Sequence, residues 1–250
     1  MMEYQNDFSS LHASMYDVDG RGRKAATALR VLRRVLGERV AQCRLLNVGS
    51  SSGIMDAVFA DEFGEVVGID IDHAAIEHAR NHFQRSNLRF EVGDGLNIPF
   101  PEASFDVLVC SQVYEHVPDQ SRLMAELERV LKPGGICYFA ATNRFILMEP
   151  HFRLPLLSWL PPALADAYLR VCGKGSRYYE RMRSYPALRK LVARFDIDDY
   201  TAAVLDDPEA YAFDYLVKPG SLTQRVSAFV ARRLPWICPG YLWILRKRVT

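Results

Sequence analysis

The sequence predicts an α/β fold built around a doubly wound, mostly parallel sheet, and three features indicate it. Short apolar runs alternate along the chain with segments in which apolar residues recur at helical spacing. Several of these runs are apolar almost throughout and end in an acid or a small residue, which is typical of buried parallel strands. The 250 residues are enough for one full core, so a single domain with insertions is the simplest organisation.

The first strand, at 44–48, runs into a tight turn that extends from Gly49 to Gly53 and is followed by a helix. Small residues let a ligand approach the backbone of such a turn, and the helix N-terminus offers free N–H groups. Ser51 and Ile54 stand where the G-x-G-x-x-G pattern of a dinucleotide-binding turn needs glycines. The turn therefore predicts a ligand site, but the glycine pattern of a nicotinamide enzyme is missing.

The remaining elements follow from the same apolar patterns. Strands are expected at 66–71, 88–92, 104–110, 136–141, 196–205 and 241–246, and helices at 23–36, 54–59, 73–83, 120–131, 163–171 and 186–194. The polar stretch 1–22, interrupted at Gly20-Arg21-Gly22, predicts an irregular arm. The expected division is an N-terminal arm and helix at 1–43, a ligand-binding core at 44–143, a helical lid at 144–195, and final strands at 196–250 around an inserted segment, 206–238.

Polar residues cluster where the predicted strands end. In doubly wound sheets, ligands lie beyond the carboxyl ends of the strands. The side chains expected at this edge belong to the turn, to Asp70, to Asp94, to Ser111–His116 and to Thr142-Asn143. Because they share one edge of the sheet, the sequence predicts a single site.

Charge and cysteine usage exclude several classes of function. The formal net charge is +1, whereas a nucleic-acid-binding protein usually carries a strongly basic face. The five cysteines are scattered without a C-x-x-C pair, so neither a zinc site nor a disulfide framework is indicated. His78 and His82 stand four residues apart on a helix, but no third ligand is evident and no metal site is predicted.

No targeting or spanning segment is evident. The N-terminus has neither a basic head nor an apolar core, and no run reaches the roughly 18 apolar residues of a spanning helix, so a cytoplasmic protein is expected. Contact with a membrane surface stays open, because Phe152–Leu169 and Leu234–Leu245 are rich in Trp, Leu and Pro. A lid with its own small core explains these stretches more simply.

Six short motifs stand in a fixed order in the first half of the chain. They are Leu46–Gly53, Val67–Asp70, Gly93–Phe100, Ser104–Asp106, Glu115–Val117 and Leu131–Gly135. In this order they resemble the class I S-adenosylmethionine-dependent methyltransferases, near the bacterial group that includes quinone-pathway and glycan-pathway enzymes. The resemblance covers about residues 44–143.

The resemblance implies a Rossmann-like, seven-stranded sheet with an antiparallel final strand, and S-adenosylmethionine as the cofactor. It implies that Asp70 accepts hydrogen bonds from the ribose hydroxyls and Asp94 from the adenine amino group. The full set of implied cofactor residues is Asn47, Gly49, Ser50, Gly53, Asp70, Ile71, Asp94, Gly95, Leu96, Ser111 and Gln112. Two positions depart from the family: an acid usually stands where Asn47 does, and a glycine where Ser51 does. We expect the missing acid to weaken cofactor binding, and Ser51 to require a loop conformation that a Cβ tolerates.

The best candidates for chemistry lie in Glu149-Pro150-His151, which follows the fifth strand on the side where an acceptor would enter. We expect His151 to act as a general base and Glu149 to belong to the same catalytic group. His116, by contrast, is expected to be a structural loop histidine that bonds to the backbone.

The predicted reaction is methyl transfer to a small-molecule or lipid- or glycan-linked acceptor, at oxygen or nitrogen. One alternative is a catalytically silent S-adenosylmethionine-binding or scaffold protein, which the Asn47 and Ser51 departures keep open. A nicotinamide-dependent oxidoreductase is a weaker alternative. A nucleic-acid methyltransferase is disfavoured because Ser111-Gln112-Val113-Tyr114 stands in place of an N/D-P-P-Y/F motif. The sequence specifies neither the acceptor nor the oligomeric state.

Overall fold

The computed structural model describes Ser9 and residues 13–248. Its strands are β1 Arg44–Val48, β2 Glu65–Asp70, β3 Leu88–Val92, β4 Phe105–Ser111, β5 Leu131–Thr142, β6 Phe195–Asp199 and β7 Gly240–Lys247. They form one sheet in the order β3-β2-β1-β4-β5-β7-β6. The neighbouring strands from β3 to β5 in this order pair in parallel. β7 runs antiparallel to both β5 and β6. The predicted doubly wound sheet with an antiparallel final strand is confirmed.

The helices of the described residues are α1 Val18–Leu36, α2 Ile54–Phe59, α3 His73–His82, α4 Gln120–Val130, α5 Pro162–Val171, α6 Tyr185–Leu191, α7 Thr201–Asp206 and α8 Leu222–Arg233. Short 3-10 segments lie at Ala13–Tyr16, Gly37–Gln42, Leu157–Trp159 and Pro235–Ile237. None of the helices described is both long enough and apolar enough to cross a membrane.

The predicted irregular arm is wrong from Val18 onward. Asp17 caps α1, since its side chain accepts a hydrogen bond from the Gly20 backbone N–H at 3.0 Å. The glycine-rich stretch 20–22 therefore lies inside the first turns of a helix instead of breaking it. Residues 1–8 and 10–12, which complete the predicted arm, lie outside the described residues.

The predicted strand at 196–205 is also wrong in its second half. The strand ends at Asp199, whose side chain accepts a hydrogen bond from the Thr201 backbone N–H at 2.9 Å. The chain then turns into α7, which buries Val204 and Leu205. These two apolar residues therefore face the interior from a helix. The sequence pattern did not distinguish this short helix from an extended strand.

The core lies on both faces of the sheet. Leu45 of β1 belongs to a cluster on the α1 and α3 face with Leu32 and Ile76, because successive side chains of a strand point to opposite faces. Its neighbour Leu46 belongs to a second cluster with Leu123 of α4 and with large side chains of the last strands. A small separate cluster of Leu154, Leu157, Ala165 and Leu169 lies in the stretch after β5, and this confirms the expected small core there.

Asp72 joins the second strand to the third helix. Its carboxylate accepts from the Ala75 backbone N–H at 3.1 Å, which caps α3, and from the Ser9 backbone N–H at 2.9 Å. It is 4% exposed, so water replaces neither bond readily. Asp72 therefore fixes the start of a helix that stands beside the carboxyl edge of the sheet.

We predict that Asp72→Ala lowers the free energy of unfolding by about 1 kcal/mol, the usual cost of losing an N-cap. Asp72→Asn is the matched control, because asparagine caps helices about as well as aspartate. Urea unfolding of both variants measures the difference. Equal midpoints for Asp72→Ala and the unmodified chain would contradict the capping role.

Candidate functional site

A cavity of about 940 Å³ opens at the carboxyl edge of the sheet. Val48, Asp70, Ser111 and Thr142, from the ends of four strands, line one side of it. Residues of the inserted segment 206–238 line another side. Because ligand pockets usually measure about 300–1,000 Å³, the cavity is at the large end of the range for a ligand site.

The turn after β1 depends on two glycines. Gly49 has a φ of +79°, and a Cβ there would overlap the Val113 side chain. Gly53 has a φ of +78°, and a Cβ there would lie 2.7 Å from the Cβ of Ala79. The backbone N–H groups of Gly49 and Ser50 both donate to the Ile69 carbonyl, at 2.9 and 3.0 Å. The turn is therefore bound closely to β2, and Gly49 lines the cavity.

Asp70 at the end of β2 holds the turn in place. One carboxylate oxygen accepts from the Ser51 N–H at 2.7 Å and the other from the Asp72 N–H at 2.9 Å. Burial raises the pKa of Asp70, and these two hydrogen bonds oppose the rise. Ser51 has a φ of +53°, so the expectation of a conformation that suits a Cβ is wrong. The hydrogen bond to Asp70 offsets the roughly 1–2 kcal/mol that a left-handed residue costs.

The acid missing at position 47 is supplied by α2. Asp56 is fully buried, and its Oδ2 accepts from Asn47 Nδ2 and from the Ser50 hydroxyl, each at 3.0 Å. A carboxylate thus lies beneath the turn, nine residues further along the chain than in the family pattern. Burial raises the pKa of Asp56 to about 7, although its hydrogen bonds with Asn47 and Ser50 and the nearby Arg21 lower it. An acid therefore lies next to Asn47, although burial favours its protonated form.

The other predicted cofactor residues divide into two groups. Those that line the cavity are Asn47, Gly49, Asp70, Ile71, Asp94, Gly95, Ser111 and Gln112. Ser50, Gly53 and Leu96 lie behind this wall. Gln112 adopts a φ of +58°, and its side-chain oxygen accepts from the Thr142 hydroxyl at 2.5 Å. The structure therefore brings most of the predicted set to one surface.

Sequence reasoning missed two cations in the same wall. Arg21 and Lys24 lie on α1 and line the cavity, and Arg21 is only 8% exposed. Burial lowers the pKa of both side chains, while Asp56 and Asp70 oppose this at Arg21. Their spacing of three residues places them on one helix face, but the expected break at 20–22 hid this signal.

His151 also lines the cavity, although it is distant in sequence from these residues. Glu149 fixes its position. Glu149 is fully buried. Its Oε1 lies 2.7 Å from His151 Nδ1, and its Oε2 accepts from the backbone N–H groups of His151 and Phe152, at 2.9 and 2.7 Å. The carboxylate thus fixes both the turn and the ring, and the structure brings together the two residues that the sequence singled out.

His116, which is expected to be a structural loop histidine, also lines this part of the cavity. Its ring meets that of His151 edge to face, with centroids 5.0 Å apart. One ligand atom from each of His116, His151 and Glu180 lies within 4.8 Å of the others. Glu180 was not among the predicted residues, because it lies about 30 residues beyond His151 in a stretch without a recognisable pattern.

Buried carboxylates surround the two rings. Burial raises the pKa of Glu115 to about 7, and it raises the pKa of Glu180 as well. Burial lowers the pKa of His151, but the hydrogen bond with Glu149 and the charge of Glu180 outweigh it, so the pKa lies above its ordinary value. The predicted surface pair behaves differently: His78 and His82 stack at 3.8 Å on α3, and the described residues bring no third ligand to them.

Comparison with known proteins gives a consistent result. A family model described as a methyltransferase domain matches residues 46–139. A ubiquinone biosynthesis O-methyltransferase of Hahella chejuensis is 36% identical over 172 residues, which cover 62% of this chain and 72% of that protein. A probable S-adenosylmethionine-dependent methyltransferase of Mycolicibacterium smegmatis is 36% identical over 48% of this chain and 46% of its own length. The chain thus spans about half the length of several curated relatives that it matches.

A solved structure agrees in fold. An S-adenosylmethionine-dependent methyltransferase from Mesorhizobium loti superposes with a TM-score of 0.55 at 18% identity, covering 86% of this chain and 95% of that one. At this identity the likeness concerns the fold alone.

We predict that Asp56 makes the stability of the fold depend on pH. Its pKa of about 7 in the folded state exceeds the value of about 3.9 expected in the unfolded chain, so the folded state holds a proton that the unfolded chain releases. The free energy of unfolding should therefore fall by roughly 2–3 kcal/mol between pH 5 and pH 8 through this group alone.

Asp56→Asn keeps an acceptor for Asn47 and Ser50 and cannot ionise. The free energy of unfolding of this variant, relative to the unmodified chain, should rise from pH 5 to pH 8 by that same amount. Guanidinium unfolding at the two pH values measures it. A difference between the two proteins that stays constant with pH would show that Asp56 titrates normally.

Proposed function

The chain belongs to the class I S-adenosylmethionine-dependent methyltransferases, and we propose that it transfers a methyl group to an oxygen of a small acceptor with an apolar part. The family and the fold imply S-adenosylmethionine as the cofactor. The observation that carries the proposal is one cavity that joins the turn after β1 to the pair of His151 and Glu149.

The residues of the cavity fit the cofactor. Gly49 leaves room for the Val113 side chain, which a Cβ there would overlap, and it lines the cavity, so a ligand can lie against its backbone. Asp70 presents its carboxylate at the end of β2, where ribose hydroxyls would donate to it, and Asp94 would receive the adenine amino group. Arg21 and Lys24 add positive charge to the wall, which suits the cofactor's carboxylate.

The chemistry that the bound cofactor supplies is an electrophilic methyl group, so a new O–CH₃ bond forms as the S–CH₃ bond breaks and its electron pair stays on sulfur. The protein mainly has to hold the acceptor oxygen in line and exclude water, and such orientation effects are worth several kcal/mol. The inserted segment 206–238 supports this role, since its apolar residues Leu216, Val226 and Val230 line the cavity.

His151 is the residue that we assign to activation of the acceptor. Glu149 bonds to Nδ1, so Nε2 is the ring nitrogen that we assign to the acceptor. An oxygen acceptor reacts faster once its proton is lost, and general-base catalysis typically contributes about 10²–10⁴-fold. Either direct proton removal by the ring or ligation of a cation by it would serve this end.

The choice of an oxygen acceptor with an apolar part rests on two observations. The relative from Hahella chejuensis is named a ubiquinone biosynthesis O-methyltransferase. In this chain, Leu222, Val226 and Phe229 form an exposed apolar strip along α8, and Val226 also lines the cavity. Arg225, Arg232 and Arg233 of the same helix are exposed, so the strip also supports entry of a lipid-linked acceptor from an anionic membrane surface.

We predict that His151→Ala lowers the rate of methyl transfer by about 10²–10⁴-fold without changing the affinity for S-adenosylhomocysteine. The assay follows labelled methyl from S-adenosylmethionine to hydroxylated aromatic acceptors, with and without apolar tails. His73→Ala is the matched control, since His73 is an exposed histidine outside the cavity.

Equal rates for His151→Ala and the unmodified chain would contradict the assignment of His151. Binding of S-adenosylhomocysteine without transfer to any acceptor in the panel would favour the alternative of a catalytically silent cofactor-binding protein. The nicotinamide alternative has no support in the turn, where Ser51 and Ile54 replace two of the required glycines.

A further inference from the structure

The two histidines at the acceptor end of the cavity form a cluster with a buried carboxylate. One ligand atom from each of His116, His151 and Glu180 lies within 4.8 Å of the other two. We propose that these three side chains bind a divalent cation of the zinc type, which faces the acceptor. The inference rests on the proposed function for the role of the cation, and on the geometry of the cluster for its binding.

His151 is held as metal-binding histidines usually are. Glu149 bonds to Nδ1 at 2.7 Å, so a cation would be ligated by the other ring nitrogen, Nε2. A histidine ligand almost always bonds through its other ring nitrogen to a carboxylate, a carbonyl or water, which fixes the ring and raises its basicity. Glu149 is itself fixed by the backbone N–H groups of His151 and Phe152, so the ring is held in one orientation before any ligand binds.

Backbone contacts fix Glu180 next to His116. The Arg181 N–H donates to the Glu115 carbonyl at 2.7 Å, and Gln120 Nε2 donates to the Arg181 carbonyl at 2.7 Å. The segment that carries Glu180 is thus tied to the loop that carries His116, although about 60 residues separate them in sequence. The site therefore depends on the packed fold, and the isolated segments would not form it.

Glu180 provides a second, independent observation. It is 4% exposed, and neither of its carboxylate oxygens meets a hydrogen-bond donor among the described residues. Glu115 is fully buried, and its two carboxylate oxygens also lack a hydrogen-bond donor among these residues. A buried carboxylate without a partner costs several kcal/mol, and a cation between Glu180 and the histidines would offset that cost.

The balance of charge also favours a cation. Glu115, Glu149 and Glu180 all lie within electrostatic reach of His151, and Lys24 lies within electrostatic reach of Glu115. Acidic groups therefore outnumber cationic groups in this set around the two imidazoles. A divalent cation there would favour the ionised forms of these acids.

The donor set indicates which cation. Two imidazole nitrogens and one carboxylate oxygen match the three-ligand sites of catalytic zinc, which keep a further position open. Magnesium and calcium prefer oxygen ligands alone. His116 and His151 line the cavity and Glu180 lies behind them, so the open position would face the cavity. A cation there would lower the proton affinity of the acceptor hydroxyl, and His151 would serve as its ligand in place of a free base.

The test uses the 250-residue chain without a tag, stripped of metal and titrated with Co²⁺ as a spectroscopic stand-in for Zn²⁺. We expect one Co²⁺ per chain, with the d–d absorption of nitrogen and oxygen ligands and without a thiolate charge-transfer band. Affinity should fall by more than about 10-fold in Glu180→Gln and His116→Ala, and by about 10–100-fold in Glu149→Gln, which alters the residue behind a ligand.

Two matched controls belong to the experiment. His73→Ala removes an exposed histidine outside the cluster, and Cys172→Ser removes an exposed thiol, so both should bind Co²⁺ as the unmodified chain does. Retained binding of S-adenosylhomocysteine shows that each variant is folded. Glu180→Gln preserves the size of the side chain and keeps the test valid should His116→Ala not fold.

The proposal fails if the unmodified chain binds Co²⁺ no more tightly than the Glu180→Gln variant. Methyl transfer that continues after chelation of all metal would overturn the role of the cation at the acceptor and leave the proposed methyl transfer intact. Loss of transfer on chelation, with recovery on addition of Zn²⁺, would support both. Metal binding is measured without turnover, so its outcome is distinct from a failure of the proposed function.

Discussion

The carboxylate of Asp70 is the constraint on which one end of the cavity depends, the end beside the turn after β1, where we propose that the cofactor binds. It accepts one backbone N–H from the turn after β1 and one from the start of α3. A single side chain at the end of β2 therefore fixes the two segments that border the cavity on this side. It also stabilises the turn at Ser51, whose backbone is left-handed and whose N–H donates to it. The remaining acceptor capacity of the two oxygens is what a ribose would use.

Buried charge is arranged in two groups along the cavity. At the cofactor end, Arg21 lies within electrostatic reach of Asp56 and Asp70, so cation and carboxylates compensate one another inside the fold. At the acceptor end, Glu115 and Glu180 lack hydrogen-bond donors among the described residues, and the charge there is compensated less well. Ionisable groups with shifted pKa values concentrate where ligands bind. The acidic groups near His116 and His151 lack such compensation, so we propose a cation at that end of the cavity.

The sequence predicted the sheet and most of the residues that line one wall of the cavity, because both depend on local patterns. Apolar runs, the turn at Gly49 and strand-end acids such as Asp70 can each be recognised within a few residues. Three features depended on contacts distant in sequence or on local bonds that outweigh composition. The cap at Asp17 starts a helix through a glycine-rich stretch, Asp56 replaces an acid expected on a strand, and Glu180 reaches His116 only through the packing of two loops.

The most direct test of the account is calorimetric titration with S-adenosylhomocysteine of the unmodified chain, of Asp70→Ala and of Glu77→Ala, an exposed acid on α3 outside the cavity. We expect micromolar binding to the unmodified chain and to Glu77→Ala. Asp70→Ala should bind about 10–100-fold more weakly, because it loses charge-assisted hydrogen bonds and the support of the turn. Equal affinity of Asp70→Ala and the unmodified chain, or no binding to either, would contradict the placement of the cofactor in this cavity.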